Sequence, residues 1–287
     1  MFGPSIFLPL SSEIGIMKQI TLLLLMISSF AVEAQFEEEY EALRRSQYTP
    51  AFIFADRVNL RAEASLTSAI VATVQEATPV GYVQRTNVAD TVGDRSAVWI
   101  KVWYNEQVCY VWEPLVTLHA QRSYDDPDVL FLFGPSAEEE STRVKVFRLS
   151  EKTQDVEFVG LKGYNGIERL RIGRNRGVDL VEEFLYVHYA GHSCGAINGD
   201  VMFAWDGVNL KPFFTEWYMG DAGFYEGARI VLPGDAAGEK GVIHVYEEAV
   251  EYMYDAKSGD YSQDRETEEQ VHTRYHWDGF QLKEMVN

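Results

Sequence analysis

The sequence is poor in the residues and motifs that build metal and nucleotide sites. It has only two cysteines, Cys109 and Cys194, and they lie far apart in the sequence, so it contains no closely spaced Cys/His quartet of the zinc-binding kind. Among six histidines, His188 and His192 stand four apart, but in a strand and the loop after it rather than on a helix. No phosphate-binding loop and no glycine-rich dinucleotide fingerprint is present. We therefore predict no metal site and no cofactor.

Positive charge is also scarce. The chain has 25 Lys and Arg against 44 Asp and Glu, a net charge of -19. Such a surface repels the phosphate backbone of nucleic acids, and we predict no nucleic-acid partner. The same repulsion applies to anionic lipids and teichoic-acid-like polymers, unless a local basic patch overrides it. The charge suits a soluble protein, or one that binds a basic partner.

No apolar run reaches the roughly 20 residues that a membrane-spanning helix needs. The apolar stretch at residues 20–32 follows Lys18, and Val32-Glu33-Ala34 then places small residues at -3 and -1 before Gln35. This pattern predicts a signal peptide over residues 1–34, with the true start at Met17, and export to the periplasm or the medium. An uncleaved anchor is the alternative. Residues 35–50 are charged and are predicted to form a linker.

Residues 51–118 consist of short strands separated by polar connections, which predicts an all-β domain. Residues 99–104 and 108–112 flank a short polar turn and predict a hairpin, while residues 87–96 are predicted to be a polar loop. Five or six short strands in so few residues favour closure into a small barrel, because an open sheet would leave unpaired edges.

This segment resembles the bacterial SH3 (SH3b) family. The matching residues are Asn59-Leu60-Arg61, then Trp99-Ile100-Lys101-Val102, then Tyr110-Val111. The resemblance implies an SH3-like barrel that acts as a docking module. Two positions depart from the family pattern. Glu76-Ala77 occupies a turn that often carries glycine, and Cys109 stands where glycine is usual.

After a predicted linker at residues 119–128, residues 129–287 form a second strand-rich domain, predicted to be an antiparallel meander or sandwich, or a partial propeller. It contains an internal repeat of the form aromatic-x-Trp-Asp-Gly-x-x-Leu-Lys, at residues 203–211 and 275–283. Each Asp-Gly pair predicts a hairpin with a type I′ turn, because these residues tolerate positive φ.

Three tryptophans are the candidate ligand-binding residues. Alternation places Trp99 and Trp103 on the same face as Lys101, which predicts that this face is partly wet. With Trp112 they would line a groove for a peptide or a cell-wall glycan. The alternative is that the tryptophans cover the barrel end or contact the second domain.

His192 and Cys194 are the only candidates for a reactive pair. Residues two apart in a strand or turn do not converge, however, and a general base must lie within hydrogen-bond reach. The two cysteines are either buried free thiols or a disulfide between the domains. The sequence therefore predicts an exported, envelope-associated binding protein that is not an enzyme. The alternatives are a cell-wall hydrolase that uses Cys194 and an acidic inhibitor or immunity-type protein.

Overall fold

The protein is built almost entirely of antiparallel β-sheet, as the sequence predicts. The computed structural model describes residues 49–135, 141–149, 151–159, 167–191, 195–255 and 260–286. The predicted signal peptide and most of the predicted linker at residues 35–50 lie outside this range. Three sheets of seven, four and eight strands account for the described strands. None of the described residues forms a helix long and apolar enough to cross a membrane.

The N-terminal sheet curls around one apolar cluster. Its strands are β1 (Thr49–Ile53), β2 (Val58–Arg61), β3 (Ile70–Val74), β4 (Pro79–Val92), β5 (Arg95–Tyr104), β6 (Gln107–Trp112) and β7 (Val116–Thr117). They are ordered β3-β2-β6-β5-β4-β1-β7, and a 3₁₀ turn at Glu113–Leu115 precedes β7. Every second residue of β5 and β6 enters the cluster, including Ile100, Val102, Cys109 and Val111.

The β5–β6 hairpin has the predicted position. Tyr104 pairs with Gln107, so the turn contains two residues, Asn105 and Glu106. Both have positive φ, at 45° and 60°, which is the backbone of a type I′ turn. Glu106 thus occupies a position where the left-handed backbone favours glycine.

The predicted loop at residues 87–96 is wrong, because strands fill it. β4 continues to Val92 and pairs with β5 from Arg95, and Gly93-Asp94 closes the turn. This distal arm is largely exposed, with no apolar stripe along it. Its strands are held by ladder hydrogen bonds rather than by a core, so hydrophobic periodicity does not reveal them.

The middle sheet begins inside the predicted linker. It contains β8 (His119–Arg122), β9 (Val129–Pro135), β10 (Ser141–Arg148) and β11 (Glu151–Val159), in the order β11-β10-β9-β8. The prediction of a linker at residues 119–128 is thus wrong for β8, whose half-buried polar residues pair with β9. Residues 123–128 form the turn between β8 and β9.

The eight-stranded sheet is a meander in which each strand pairs with the next. Its strands are β12 (Ile167–Arg174), β13 (Glu183–Tyr189), β14 (Asn198–Trp205), β15 (Leu210–Asp221), β16 (Phe224–Val231), β17 (Ile243–Asp255), β18 (Asp260–Trp277) and β19 (Leu282–Glu284). One face of β13 and β14 packs on the middle sheet through Leu185 and Phe203, which forms the predicted sandwich. Phe184 and Met202 belong to a second cluster on the opposite face.

The two repeat hairpins adopt the same loop. Trp205 pairs with Leu210 and Trp277 with Leu282, so four residues connect the strands in each copy. The predicted type I′ turn is wrong. Only the glycine has positive φ, and the Asp206 carboxylate accepts the backbone N–H groups of Val208 and Asn209 at 3.0 and 2.6 Å. An aspartate that accepts the N–H groups of its own loop in this way stabilises a four-residue connection, which is longer than the two residues of a type I′ turn.

The eight-stranded sheet curls until the two repeat hairpins touch. Lys211 Nζ donates to the carbonyl of Gly279 at 2.7 Å. The rings of Phe213 and Trp277 lie 4.9 Å apart between centroids. In the sheet order β16 and β17 separate β15 from β18, so these contacts require strong curvature.

A buried interface joins the N-terminal sheet to the middle sheet. Phe52 and Phe54 pack against Leu130 and Leu132, which lie on the face of β9 opposite the sandwich core. Gly134 leaves room for Phe54, since a Cβ at Gly134 would lie 2.5 Å from a carbon of its ring. The two units are therefore packed together and not joined by an extended tether.

An ion pair is buried in the same interface. Lys145 Nζ bonds a carboxylate oxygen of Glu76 and donates to the Phe54 carbonyl at 2.6 Å. The ammonium also lies 4.3 Å from the centroid of the Phe54 ring. The side chains of Lys145 and Glu76 are only 8% and 11% exposed. Removing either charge would be destabilising, because water cannot solvate the charge that remains buried.

Candidate functional site

The three candidate tryptophans lie on one face of the N-terminal sheet, as predicted. Trp99 pairs with Trp112 and Trp103 with Val108, while Ile100 and Val102 point into the core. The alternation prediction for β5 is thus confirmed, and this face is the outer face of the curled sheet.

The predicted exposure of Trp99 is wrong. Trp99 is 1% exposed and Trp112 is 7% exposed, whereas Trp103 is half-buried. The distal arm of β4 and β5 provides the acceptors that allow this burial. Trp99 Nε1 donates to Asp90 Oδ2 at 2.8 Å, and Trp112 Nε1 donates to the Ala97 carbonyl at 3.1 Å. The two indoles anchor the arm and do not form an open platform.

A groove of about 480 Å³ lies beside this arm on the N-terminal unit, and we call it the Tyr110 groove. It is lined by Glu63, Ala64, Gln84, Arg85, Thr86, Asn87, Val88 and Tyr110. None of them is among the ligand-binding residues predicted from the sequence. Many of them have polar amide or hydroxyl side chains, and such residues are equally common in solvated loops, so the sequence does not distinguish this groove from an ordinary loop.

A bulge in β4 builds one wall of the groove. Arg85 pairs with Ile100 and Ala89 with Val98, so three residues of β4 stand opposite Trp99 alone. Thr86 Oγ1 donates to the Trp99 carbonyl at 2.8 Å, which fixes the bulge. Bulges of this kind redirect side chains out of a sheet and are frequent beside functional sites.

Asp90 ties the other wall to the arm. The wall is the loop after β2, which contributes Glu63 and Ala64. The backbone N–H of Leu66 donates to Asp90 Oδ2 at 3.1 Å, the same oxygen that accepts from Trp99. The position of the loop therefore depends on the arm and on the buried indole.

The groove offers amide and hydroxyl groups around one aromatic ring, and Glu63 also contributes a carboxylate to its lining. Tyr110 is half-buried, and the amide side chains of Gln84 and Asn87 are exposed. The Arg85 guanidinium is held by both oxygens of Glu113, at 2.7 and 3.0 Å, so its charge is matched. Amide groups beside an aromatic face suit a ligand rich in hydroxyl and amide groups.

A second polar cluster lies on the eight-stranded sheet, on the face that carries Tyr186. His188 Nδ1 lies 3.1 Å from Asp200 Oδ1, and His188 Nε2 lies 3.4 Å from a carboxylate oxygen of Glu168. The Arg171 guanidinium lies 3.9 Å from the centroid of the Tyr186 ring and 3.5 Å from Asp200. Two carboxylates, one at each ring nitrogen, therefore orient this imidazole.

Glu216 adds a carboxyl group with an altered acidity to this cluster. It pairs across the ladder with Asp200, so both side chains project from the same face. Burial, with a smaller contribution from the Asp200 charge, raises the pKa of Glu216. The cluster thus holds an oriented imidazole near a carboxyl group that keeps its proton to higher pH, which are the elements of proton transfer.

In this cluster only His188 stands out in the sequence, because it lies four residues before His192. Asp200, Glu216 and Arg171 come from three other strands, and only the register of the meander brings them together. Alternation along each strand fixes the face but not the cross-strand partner.

The structure tests the prediction of a buried free thiol for Cys109 only. Cys109 is a free thiol with no solvent exposure, packed among the apolar residues of the N-terminal core. Burial raises the pKa of the Cys109 thiol, which keeps it protonated and unreactive. His192 and Cys194 lie outside the described residues.

No group of three or more His, Cys, Asp or Glu side chains within the described ranges is arranged to hold a metal ion. A comparison with family models, with curated proteins and with solved structures gave no match to this chain. The resemblance to the bacterial SH3 family accordingly stays a prediction from the residues alone.

Proposed function

We propose that the protein is an exported, non-enzymatic binding protein whose N-terminal unit holds a cell-wall glycan in the Tyr110 groove. The observation that carries this proposal is the groove itself, a volume of about 480 Å³ with an aromatic side chain and exposed amides. Small-molecule sites occupy roughly 300–1,000 Å³, so this space accommodates part of a glycan chain. The signal-peptide pattern at residues 1–34 supports export.

The charge of the chain favours a neutral sugar chain over a phosphate polymer. A net charge of -19 disfavours polyanions, and the one arginine of the groove is already paired with Glu113. Sugar hydroxyls exchange hydrogen bonds with amide side chains such as those of Gln84 and Asn87. A sugar ring also presents an apolar face that can pack on Tyr110.

Backbone geometry at one departure from the family pattern supports an SH3-type docking module. Ala77 has a φ of 62°, a conformation in which glycine is favoured over every other residue. The family pattern often has glycine in this turn. The alanine methyl group is buried in the interface with the middle sheet, which accounts for a non-glycine residue here.

Binding to purified peptidoglycan tests the proposal. The secreted protein should begin at Gln35 and sediment with peptidoglycan, and Tyr110→Ala should weaken binding roughly tenfold, equivalent to about 1.4 kcal/mol. Asn87→Ala, at an exposed position, should weaken binding without changing the melting temperature. Tyr124→Ala is the matched control, because Tyr124 is 62% exposed and lies outside the groove. Equal binding by all four proteins, or none by the wild type, would refute the proposal.

An acidic inhibitor is the second candidate, and the β17–β18 hairpin favours it. The last residue of β17 that pairs with β16 is Glu251, whereas β17 pairs with β18 as far as Asp255 and Asp260. Residues 251–268 contain six acidic and two basic residues. Met253 and Tyr254, which are 49% and 58% exposed, lie toward the far end of this ribbon. The excess of acidic residues in this ribbon would attract the positively charged surface of a basic protein.

Salt dependence distinguishes the two candidates. Binding to a basic cell-wall hydrolase through the ribbon should weaken steeply between 50 and 500 mM salt, about as expected for charge-steered association. Glycan binding in the Tyr110 groove should change little over that range. Hydrolysis by Cys194 stays a sequence prediction, and peptidoglycan digestion that survives Cys194→Ser would exclude it.

A further inference from the structure

A column of stacked side chains stands on the outer face of β16, β17 and β18. Its members are Arg229, Tyr246, His272 and His244. The Arg229 guanidinium lies 4.1 Å from the centroid of the Tyr246 ring. The Tyr246 and His272 rings are parallel within 5°, with centroids 4.5 Å apart. Because Ile243 and Val245 point into the core, the intervening side chains lie on the face turned away from it.

The two histidines of this column face each other through ring nitrogens. His244 Nδ1 and His272 Nε2 lie 2.9 Å apart, and the ring planes are within 28° of each other. The His244 side chain is 10% exposed, whereas His272 is exposed. The pair is therefore fixed on one side by the sheet and open to solvent on the other.

A carboxylate stands behind the inner ring. His244 Nε2 lies 3.6 Å from Glu239 Oε2, and Glu239 Oε1 accepts from Arg274 at 2.9 Å. A proton on Nε2 would be attracted to Glu239, which leaves Nδ1 as a lone-pair donor. Histidines that bind metals commonly have a carboxylate on the other ring nitrogen.

The distance between the two nitrogens matches a chelate. Two metal–nitrogen bonds of about 2.0–2.1 Å that meet at a right angle place their nitrogens about 2.9 Å apart. Right angles between neighbouring ligands are typical of the tetragonal geometry of Cu²⁺. Because the sheet holds His244, the exposed His272 ring is the one that must turn for both lone pairs to converge on a metal ion.

We propose that His244 Nδ1 and His272 Nε2 form an open two-histidine site for Cu²⁺, with water at the remaining positions. The Arg charges nearby are matched, since Arg274 pairs with Glu239 and Arg229 lies 3.9 Å from Glu248. Imidazole is a preferred ligand of Cu²⁺, which binds such sites more tightly than the other divalent ions of its row. This site is separate from the Tyr110 groove and does not depend on the glycan proposal.

Copper titration of the metal-free full chain tests the site. We expect one equivalent of Cu²⁺ to bind, with an electron paramagnetic resonance spectrum of tetragonal Cu²⁺ coupled to nitrogen. His272→Gln should weaken binding at least tenfold and remove that nitrogen coupling. His276→Gln is the matched control, because His276 is exposed and lies four residues further along the same strand and face.

Three outcomes would overturn the proposal. The wild type could bind Cu²⁺ no more tightly than His272→Gln, in which case the pair is only an imidazole–imidazole hydrogen bond. His276→Gln could lose as much affinity as His272→Gln, which would place the copper elsewhere. The spectrum could lack nitrogen coupling. Because His272 is exposed, His272→Gln should keep the wild-type melting temperature, and His244→Gln provides an independent check on the inner ligand.

Discussion

The buried ion pair between Glu76 and Lys145 gives the sharpest stability prediction. Glu76→Gln keeps the size and one acceptor oxygen of the side chain but removes the charge that compensates Lys145. Lys145 is 8% exposed in its side chain, so water cannot replace the lost partner. Breaking a buried pair by removing one partner costs about 3–5 kcal/mol. The Phe54 carbonyl and ring still face the ammonium, so we expect a loss of free energy of unfolding at the lower end of this range, about 3 kcal/mol.

Replacing the lysine instead of the glutamate should lower the free energy of unfolding by less. In Lys145→Met the apolar replacement fills the space against the Phe54 ring, and Glu76 keeps Lys152 at 3.1 Å. We expect a loss of about 1–2 kcal/mol for one lost interaction. The double variant should lose no more than Lys145→Met alone, because it contains no buried unpaired charge at this position. The coupling free energy from the double-mutant cycle is then about 3 kcal/mol, nearly the full cost of Glu76→Gln.

Urea unfolding followed by both tryptophan fluorescence and far-ultraviolet circular dichroism measures these values. Coincident transitions are needed before free energies can be compared. Glu113→Gln is the control, since its partner Arg85 has a side chain that is 61% exposed, and surface pairs contribute little. If Glu76→Gln were no more destabilising than Glu113→Gln, the reasoning from burial would be refuted.

Three further predictions concern single residues. Glu106→Gly should raise the free energy of unfolding by about 1 kcal/mol, because glycine adopts the positive φ of 60° without strain. Burial raises the pKa of Glu216, so its ionisation lowers stability as pH rises from its unfolded value through the raised one; Glu216→Gln should therefore become progressively more stable than wild type between pH 4 and neutrality. Asp90→Ala removes the acceptor of the Trp99 indole and should cost about 1–3 kcal/mol.

Each of these predictions has a direct check. Urea unfolding at fixed pH measures Glu106→Gly, and a loss of stability would contradict the turn assignment. Repeating the unfolding of Glu216→Gln from pH 4 to pH 7 tests the sign, and a stability difference that shrinks with pH would be the wrong result. A red-shifted indole emission should accompany Asp90→Ala if Trp99 becomes wet, while unchanged emission would show that Asp90 does not protect the ring.

Hydrophobic alternation predicted the sheet class because most strands have a buried face. The residues of β13 and β14 alternate between two apolar clusters, and β5 alternates between core and outer face. The short hairpin at Asn105 and the paired Trp-Asp-Gly loops were also located correctly. Local chemistry determines such features, and the sequence records local chemistry directly.

The missed strands lack that signal. The distal half of β4 is mostly exposed and β8 is half-buried throughout, so neither has an apolar stripe. The predicted exposure of Trp99 is wrong for the same reason, because the arm that covers this indole is predicted to be a loop. One unrecognised hairpin thus changed a predicted open platform into a buried anchor.

The two candidate sites on the eight-stranded sheet could not be read from sequence because they depend on register. His244 and His272 are 28 residues apart and meet across the β17–β18 ladder. His188 and Asp200 meet across β13 and β14, and Glu216 joins them from β15. A shift of one residue in any of these ladders would move the side chains to opposite faces.

The interface of Phe54 with the middle sheet sets an order of events during synthesis. Glu76 is made 69 residues before Lys145, and the ribosome releases the chain from its N-terminus. Until β9 and β10 emerge, the first unit displays two phenylalanines and a carboxylate without its counter-ion. The nascent chain therefore exposes apolar side chains that only the later middle sheet covers.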